Sequence, residues 1–428
     1  MNVLIFNALL YIGYTLWGFK KCKSFSVHNA ISCWFTFIAV MGVVSVHLKY
    51  YQMVFGQLHQ LSYVPYILCF LSFIFLMLPL RKLNFSFVLI EDFPNKKNQF
   101  VKFLYIPILF LFLYTIVYIP SVISAFSYND MAEVYNAQRI DGDDLYNYSK
   151  LELLIISIGR KFFNWFFGIM VFFSIWHLNI TKKNEKYYYL YILMFLCSVA
   201  PYFLRTIATG GRGGFVFFSA KIIFVLLPLW AYLSKQFKKK LVHIAFVFLI
   251  LGFIYAVSMT VARVSGSLTS NETPFSSVIR YFGEPFPNLG NNLWGQVKSY
   301  LMGHRMYPEL FGFDIDNTNS QYDNFNYWQS ICGVPVLNYK TIYGDFYLEF
   351  GPIYALIIIA SIGLLMNLYI KKRRLSFIQL PLYSFYIDIC VTAPLWFSRR
   401  NIGDLLIIIQ CLIISYIIKK IFIKNQIK

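Results

Sequence analysis

The chain has 428 residues, of which 58% are hydrophobic, 20% aromatic and only 13% charged. This composition excludes a soluble globular domain and is typical of a polytopic α-helical membrane protein. A net charge of +19 would suggest nucleic-acid binding in a soluble protein, but here the lysines fall in short clusters between apolar runs. Such clusters are typical of cytoplasmic loops, so nucleic acid is not an expected partner.

Apolar runs long enough to cross a bilayer recur along the whole chain. One span needs about 20 mostly apolar residues, and we count about eleven such runs, within a range of about ten to twelve. The sequence therefore predicts an all-α polytopic integral membrane protein with one large extracytoplasmic loop. The predicted spans are approximately 1–19, 29–48, 61–80, 103–123, 156–178, 187–204, 213–233, 241–261, 344–370, 377–397 and 401–420.

The segments between these spans alternate in charge, and the alternation predicts the orientation of the chain. One set contains three acidic residues, Glu91, Asp92 and Glu185, and the other set carries nearly all the remaining acids. Lysines cluster in the first set, near 20–23, 81–102, 182–186, 235–240, 371–374 and 419–420. The positive-inside rule makes the lysine-rich set cytoplasmic, so the N-terminus is expected outside and the C-terminus in the cytoplasm.

Two of the predicted outer segments are long. Residues 124–155 form an acidic loop, and residues 262–343 are rich in Tyr, Trp, Asn, Gly and Pro. Long loops often act as lids or binding elements, and the start signal Thr273-Pro274 predicts a short helix packed over the membrane core. We therefore divide a single membrane domain into helices 1–8 (1–261), the large loop (262–343) and helices 9–11 (344–428).

The turn between the sixth and seventh spans is rich in arginine and glycine. Arg205 and Arg212 flank it, and arginine near a bilayer is costly enough to suggest a functional site. Glycines allow backbone N–H groups to approach an anion closely, which favours a phosphate or pyrophosphate site. A flexible hairpin whose arginines reach the lipid headgroups is the alternative. The glycines are Gly210, Gly211, Gly213 and Gly214.

Arginines also collect at other predicted outer positions, where the positive-inside rule would remove them. Guanidinium is always charged and binds phosphate oxygens in a bidentate fashion, so this set is expected to contain ligands for pyrophosphate. The alternative is that some pair with Glu284, Asp345, Glu349 or Asp404 as structural bridges. The candidate pyrophosphate ligands are Arg205, Arg212, Arg263, Arg280, Arg305 and Arg399, and Arg400 adjoins the last.

Four residues are candidates for acid–base chemistry. His304 lies beside Arg305 in the large loop, where it could accept a proton or be an ordinary loop histidine. Glu284 lies in the same loop, and Asp345 and Glu349 are four residues apart, hence on one helical face. Each carboxylate could act as a general base or neutralise an arginine.

No metal or cofactor is expected from the sequence. Asp314-Ile-Asp316 has the spacing of a metal–nucleotide-sugar motif, but it faces a compartment where nucleotide sugars are not expected. The run Asp141–Asp144 lacks the rest of an EF-hand. His177, His243 and Asp388 lie in predicted spans, but on separate helices and near predicted ends, so they give only a weak signal for a proton relay.

Two stretches carry a resemblance to a known family. The turn from Arg205 to Gly214, and the sequence Gly344-Asp-Phe-Tyr-Leu-Glu-Phe-Gly-Pro352 after a large late outer loop, resemble the O-antigen polymerases of the Wzy type. These enzymes are related to the O-antigen ligases. The likeness covers most of the chain in layout and is specific in those two stretches.

The resemblance implies a multi-pass glycosyltransferase of the bacterial inner membrane that polymerises undecaprenyl-pyrophosphate-linked oligosaccharide repeat units outside the cytoplasm. It implies a metal-independent, inverting reaction for lipopolysaccharide or capsule synthesis, with membrane lipids, a flippase and a chain-length regulator as partners. Arg205 and Arg212 match the arginines of the family's central outer turn, and Arg263 or Arg280 would fit those near the large loop. His304 could correspond to the loop histidine of the ligases, although its neighbours do not match a ligase motif.

Aromatic residues of the large loop would then stack on sugar faces, or would simply pack within the loop; they are Tyr281, Trp294, Tyr300, Tyr307 and Trp328. Two other functions also remain open: a lipid-linked oligosaccharide flippase or other transporter, and an O-antigen ligase. A flippase would need charges that line a cavity through the membrane. The predicted charges instead collect at one face, which favours an enzyme.

Overall fold

A computed structural model describes residues 1–94, 97–127, 148–209, 211–266, 273–311, 321–336, 339–398 and 402–423. Over these residues the protein is a bundle of α-helices with a single two-stranded sheet. The helices are α1 (Asn2–Lys21), α2 (Val27–His47), α3 (Tyr50–Phe55), α4 (Val64–Arg81), α5 (Lys97–Ser127), α6 (Lys150–Ile180), α7 (Tyr188–Ala208), α8 (Arg212–Leu226), α9 (Lys235–Gly266), α10 (Pro274–Gly283), α11 (Pro285–Asn288), α12 (Gln321–Cys332), α13 (Thr341–Phe350), α14 (Pro352–Tyr369), α15 (Leu380–Thr392) and α16 (Ile402–Phe422).

The predicted fold class is confirmed. Among the described residues, ten helices are long and apolar enough to cross a membrane, and the shorter apolar helix Phe377–Thr392 accompanies them. These elements coincide with the eleven predicted spans, although α5 and α6 are longer than predicted and α15 ends earlier. The protein is therefore a multi-pass membrane protein by the length and composition of its helices.

The lysine-rich connections meet at one end of the bundle, which we call the lysine-rich end. Strand β1 (Leu89–Glu91) pairs in parallel with β2 (Arg374–Ser376) and joins two of these connections. Tyr232 donates from its hydroxyl to the carbonyl oxygen of Val88 at 3.0 Å and joins a third. The long helices α7 and α8 run from this end to the arginine- and glycine-rich turn, which therefore lies at the opposite end.

Local capping explains where several helices begin. Ser149 and Glu152 form a reciprocal capping box at the start of α6, and Thr273 and Ser276 form one at the start of α10. Each box satisfies backbone N–H groups that the first helical turn leaves without a partner. Pro274 occupies the first position of α10, where the missing N–H costs nothing. The helix predicted after Thr273 is thus confirmed.

The predicted ninth span, 344–370, is two helices rather than one. Gly351 separates α13 from α14 with a φ of 81°, and Pro352 follows it. The positive φ is a conformation that glycine adopts at little cost, and proline at the first position of α14 cannot continue the preceding helix. Residues Thr341–Glu349 of α13 are all buried, so this short helix is part of the core.

Part of the large loop also belongs to the core instead of lying over it. A Cβ on Gly283 would lie 2.5 Å from the carbonyl oxygen of Met41, so α10 can pack this closely on α2 only with glycine at that position. Phe286 of α11 packs on Tyr11 of α1 with ring centroids 5.4 Å apart. Tyr66 of α4 donates from its hydroxyl to the carbonyl oxygen of Phe286 at 3.2 Å. The loop therefore inserts between α1, α2 and α4.

Candidate functional site

The arginine- and glycine-rich turn is short and closed by hydrogen bonds. The Thr209 hydroxyl donates to the carbonyl oxygen of Arg205 at 3.0 Å. The backbone N–H of Gly211 donates to the carbonyl oxygen of Thr206 at 2.9 Å. Gly211 occupies the N-cap position of α8, where it has no side chain to accept from the first N–H groups of the helix. The start of α8, at Arg212, is thereby held directly beside the end of α7.

Two of the four glycines are required by packing. A Cβ on Gly213 would lie 2.4 Å from the hydroxyl oxygen of Tyr281, and a Cβ on Gly214 would lie 2.4 Å from Oγ1 of Thr206. These contacts press α8 against both α7 and α10. The glycines at 213 and 214 therefore fix the position of the turn. Gly210 lies outside the described residues.

Arg205 contributes its guanidinium to this end of the bundle. It lies in the last turn of α7 and is half-buried. Tyr118 of α5 interacts electrostatically both with Arg205 and with the exposed Arg160 of α6. Two positive side chains from neighbouring helices therefore flank one phenol. Arg160 was not among the predicted ligands, although an arginine within a predicted span indicates a possible functional site.

Several predicted arginine ligands cannot be placed by their side chains. Arg212 begins α8 and Arg263 lies in α9, but their side chains lie outside the described part of the structure. Arg399 and Arg400 lie outside the described residues altogether.

Arg280 and Glu284 form a local ion pair. Nη1 of Arg280 donates to Oε2 of Glu284 at 2.6 Å, one helical turn apart, and both side chains are mostly buried. The guanidinium also lies 5.9 Å from the ring centroid of Phe55 in α3. Arg280 and Glu284 therefore form a structural bridge, which is the alternative that the sequence left open for these two residues.

Arg305 forms a buried ion triad with both carboxylates of α13. Its Nε donates to Oε1 of Glu349 at 2.7 Å, and Nη2 donates to Oδ1 of Asp345 at 3.2 Å. The second oxygen of each carboxylate accepts a backbone N–H, from Gly303 at 3.1 Å and from Phe397 at 2.7 Å. The predicted shared face of Asp345 and Glu349 is thus confirmed. The triad fastens the 301–305 segment to α13 and to the segment after α15.

The electrostatics of this triad follow from burial. Burial raises the pKa of the Glu349 carboxyl, and the Arg305 guanidinium opposes that rise without cancelling it. For Arg305, burial acts to lower the pKa, but the two carboxylates overcome it and hold the pKa above its ordinary value. Two carboxylates share one guanidinium, so the triad has a net negative charge when both are ionised.

His304 lies beside the triad and has a defined tautomer. Its Nδ1 donates to the carbonyl oxygen of Leu301 at 2.6 Å, and its ring lies 4.2 Å from that of Phe311. With the proton on Nδ1, Nε2 is the basic nitrogen of the imidazole. Nearby, burial and the charges of Asp404 and Glu349 raise the pKa of Tyr307 to about 12, so this phenol stays protonated at neutral pH.

Aromatic contacts connect the turn with the large loop. The rings of Tyr281 and Tyr339 meet edge-on with centroids 5.0 Å apart, and the Tyr339 hydroxyl donates to that of Tyr281 at 3.1 Å. Tyr339 stacks on Trp396, whose ring contacts Phe217 of α8 at 4.9 Å. This continuous series of rings runs from α10 through the 339 and 396 segments to α8.

The other predicted sugar-stacking residues mainly pack within the protein. Trp294 stacks on Tyr347 with centroids 5.2 Å apart, and Tyr300 meets the same ring edge-on at 5.9 Å. Trp328 is 5% exposed. For Trp294 and Trp328 the geometry corresponds to loop packing, the alternative that the sequence left open, whereas Tyr300 is 40% exposed.

The structure contains an ion pair within the bundle that the sequence analysis did not predict. Nζ of Lys221 in α8 lies 3.2 Å from Oδ1 of Asp388 in α15. The ammonium also lies 4.8 Å from the ring centroid of Phe167 in α6. The signal was available, because a lysine in the middle of a predicted span is rare and needs a partner. His243 is exposed on α9 and His177 packs against Tyr191, so the histidines considered with Asp388 are not part of this pair.

Within the described residues, no group of three or more His, Cys, Asp or Glu side chains could hold a metal ion. The sequences 141–144 and 314–316 lie outside those residues. What the arrangement offers chemically is the positive charge of Arg205 and Arg160 near Tyr118, together with three carboxylates, Glu284, Asp345 and Glu349, that are each bound to an arginine.

Comparison with protein-family models, with curated proteins and with solved structures finds no match for this chain.

Proposed function

We propose that the protein is a glycosyltransferase that polymerises lipid-linked oligosaccharide repeat units at the extracytoplasmic surface of a bacterial inner membrane. Its substrate would be an oligosaccharide on undecaprenyl pyrophosphate, and a flippase and a chain-length regulator would be its partners. The observation that carries the proposal is the closed turn in which Arg205 ends α7 and Arg212 begins α8. The resemblance of this turn to that of the O-antigen polymerases adds support.

The turn has the physical properties of a diphosphate site. The first N–H groups of α8 have no intrahelical acceptor, and the helix dipole places partial positive charge at this point. Arg205 adds a guanidinium whose charge is only half-shielded from solvent. Because Gly213 and Gly214 lock α8 against α7 and α10, these donors would not reorganise during a reaction.

In the proposed reaction, a hydroxyl oxygen of the acceptor sugar forms a bond to the anomeric carbon of the donor. The bond from that carbon to the diphosphate oxygen breaks, and the lipid diphosphate leaves with the electron pair. Arg205 and Arg212 would stabilise the charge that develops on the leaving group. A base takes the proton of the attacking hydroxyl, and the sugar passes through an oxocarbenium-like state.

Among the four predicted base candidates, the structure favours His304 for this role. Glu284 binds Arg280, and Asp345 and Glu349 both bind Arg305, so protonating any of them would break an ion pair. In His304 the Nδ1 proton is donated to the Leu301 carbonyl oxygen, which orients the ring and leaves Nε2 as the basic nitrogen. Histidine is also the side chain that most often transfers the proton in general acid–base catalysis.

Polymerisation by purified protein from a defined lipid-linked repeat unit tests the proposal. Arg205→Lys and Arg212→Lys should each lower the rate by about 10²–10³, as expected for loss of an oriented donor to a developing charge. Arg374→Lys is the matched control, because Arg374 pairs with Glu91 at the lysine-rich end. The reaction should proceed equally with chelator present. Wild-type rates from both turn variants would refute the proposed site.

A transporter is a second candidate, favoured by one observation. The Lys221–Asp388 pair lies between α8 and α15, inside the bundle, where transporters place charges that bind or relay their cargo. Deletion of the gene distinguishes the two functions. Single repeat units should accumulate on the lipid outside the cell membrane if polymerisation is lost, and inside if transport is lost.

A further inference from the structure

A cleft with a volume of about 940 Å³ separates α9 from α7 and α8. It begins beside Ser24 and Lys238 at the lysine-rich end and reaches Leu204 of α7 and Leu249 of α9. Its walls are almost entirely aliphatic and aromatic, and no carboxylate lines it. Its volume is near the upper end of the roughly 300–1,000 Å³ typical of small-molecule sites.

Helix α9 makes few contacts that would close this cleft. In the span 235–261, only 17% of the most apolar window is buried, against 39% for the neighbouring spans in α7 and α8. Phe246 lines the cleft and is nevertheless 59% exposed. An empty space between packed helices forfeits dispersion contacts on both walls. The walls are apolar, so a hydrocarbon chain is the occupant that restores those contacts.

The dimensions of the cleft correspond to one leaflet of a bilayer. Its α9 wall runs from Lys238, at the mouth, to Leu249, a length of about 16 Å at 1.5 Å per residue. One leaflet of hydrocarbon is about 15 Å deep, half of a core of about 30 Å. A lipid chain that enters from the lysine-rich end can therefore lie along this wall for nearly its whole length.

The mouth of the cleft carries the groups that select a headgroup. Nζ of Lys238 lies 5.7 Å from the ring centroid of Trp230, and both residues line the cleft. Tryptophan and lysine together are typical of the membrane–water interface. Lys235, Lys239 and Lys240 extend the positive charge along the start of α9. This charge favours an anionic headgroup over a zwitterionic one.

We propose that the cleft is a binding site for one anionic phospholipid, with its acyl chains between α7 and α9 and its phosphate at Lys238. The lipid fills the space that the protein leaves between α9 and the rest of the bundle. The mouth of this site, at Lys238, is at the opposite end of the bundle from the arginine- and glycine-rich turn. The inference does not depend on the proposed glycosyl transfer.

Native mass spectrometry of the full-length protein tests the headgroup. The delipidated protein would be titrated with dioleoylphosphatidylglycerol and, separately, with dioleoylphosphatidylcholine. We expect one phosphatidylglycerol to bind before any other lipid, and Lys238→Gln to weaken it about fivefold, the effect of one lysine near an anionic headgroup. Lys186→Gln is the matched control, because Lys186 lies 5.6 Å from the Tyr187 ring and does not line the cleft. Equal effects of the two substitutions would overturn the assignment of the headgroup.

Substitutions that fill the cleft test whether it holds the acyl chains of the lipid. Ala245→Phe and Ala200→Phe place bulk on opposite walls, and each should abolish the retained phosphatidylglycerol while Ile357→Phe, on an exposed face of α14, should not. Thermal melting of each variant identifies any that fail to fold, and the two walls provide independent tests. Unchanged retention in a folded cleft variant would overturn the proposal. The same variants are also titrated with undecaprenyl phosphate. Loss of its binding while phosphatidylglycerol is retained would likewise overturn the proposal, because the cleft would then hold the chain of the isoprenoid carrier.

Discussion

Arg305 and Glu349 form a buried ion pair in which Nε donates to Oε1 across 2.7 Å, with side chains that are 4% and 0% exposed. Removing the arginine leaves two buried carboxylates without its positive charge, because Asp345 binds the same guanidinium. Arg305→Ala should therefore destabilise the protein by about 3–5 kcal/mol. Thermal unfolding in detergent measures this, with Arg374→Ala as the exposed control, expected below about 1 kcal/mol. A small effect of Arg305→Ala would show that the triad does not hold the loop.

The raised pKa of Glu349 predicts a pH dependence of stability. The folded protein binds this proton more tightly than the unfolded chain does. The contribution is therefore fully present below the ordinary glutamate pKa and is lost as the pH rises through the higher folded value. Glu349→Gln should flatten this part of the stability profile. The check is to measure the melting temperatures of both proteins between about pH 4 and pH 8, a range that begins near the ordinary glutamate pKa. Parallel profiles of melting temperature against pH would contradict the prediction.

Alanine substitutions at the packed glycines should show whether these positions need glycine for close packing or for backbone flexibility, as measured by thermal unfolding. Gly213→Ala and Gly214→Ala should each cost about 1–3 kcal/mol, because each new methyl group overlaps a neighbouring side chain. Tyr281→Phe should recover part of the loss in the first variant, since it removes the nearest atom while Phe217 stays 2.9 Å from the new Cβ. Thr206→Ala should recover most of the loss in the second, since it removes both Oγ1 and the methyl group that overlap the new Cβ. Gly13→Ala is the control, because a Cβ there meets nothing within 4 Å. It should be neutral or stabilising, as alanine is preferred in a helix.

The Lys221–Asp388 pair should be strongly coupled in stability. Lys221→Met alone should cost about 3–5 kcal/mol, because it removes the lysine from a carboxylate inside the bundle. Lys221→Met combined with Asp388→Leu should be much closer to the wild type. A double-mutant cycle measured by thermal unfolding gives the coupling. If the double variant is stable and polymerises normally, the pair is structural; if it is stable but inactive, the pair takes part in function.

His304→Gln should lower polymerisation by about 10²–10⁴, the usual contribution of a positioned base. The fold should persist, because the side chain of His304 is not part of the Arg305 triad. A rate within twofold of the wild type would assign the proton transfer to another residue.

Hydrophobic periodicity and charge were sufficient to predict the number and placement of most membrane helices, since a bilayer constrains length and composition strongly. The break between α13 and α14 at Gly351 was not predicted, because it interrupts an apolar run without changing the composition of that run. The insertion of Phe286 beside Tyr11 could not be predicted, since loop segments that enter a core depend on contacts between residues far apart in the chain.

For the candidate site, sequence reasoning identified the residue types but not their partners. The predicted shared face of Asp345 and Glu349 follows from helical spacing alone, and the structure confirms it. That Arg305 would meet both carboxylates depends on how the 301–305 segment folds back on α13. The partner of Lys221 depends on how α8 and α15 pack, because Asp388 is 167 residues further along the chain.

The hydroxyl of Tyr66 and the carbonyl of Phe286 that accepts its hydrogen bond are 220 residues apart in the chain. Helices α1, α2 and α4 must consequently remain in the bilayer with an unfilled space between them until the segment that fills it has been synthesised. Maturation of this protein should thus include a late docking step, and truncation before residue 285 should leave an inserted but protease-sensitive intermediate.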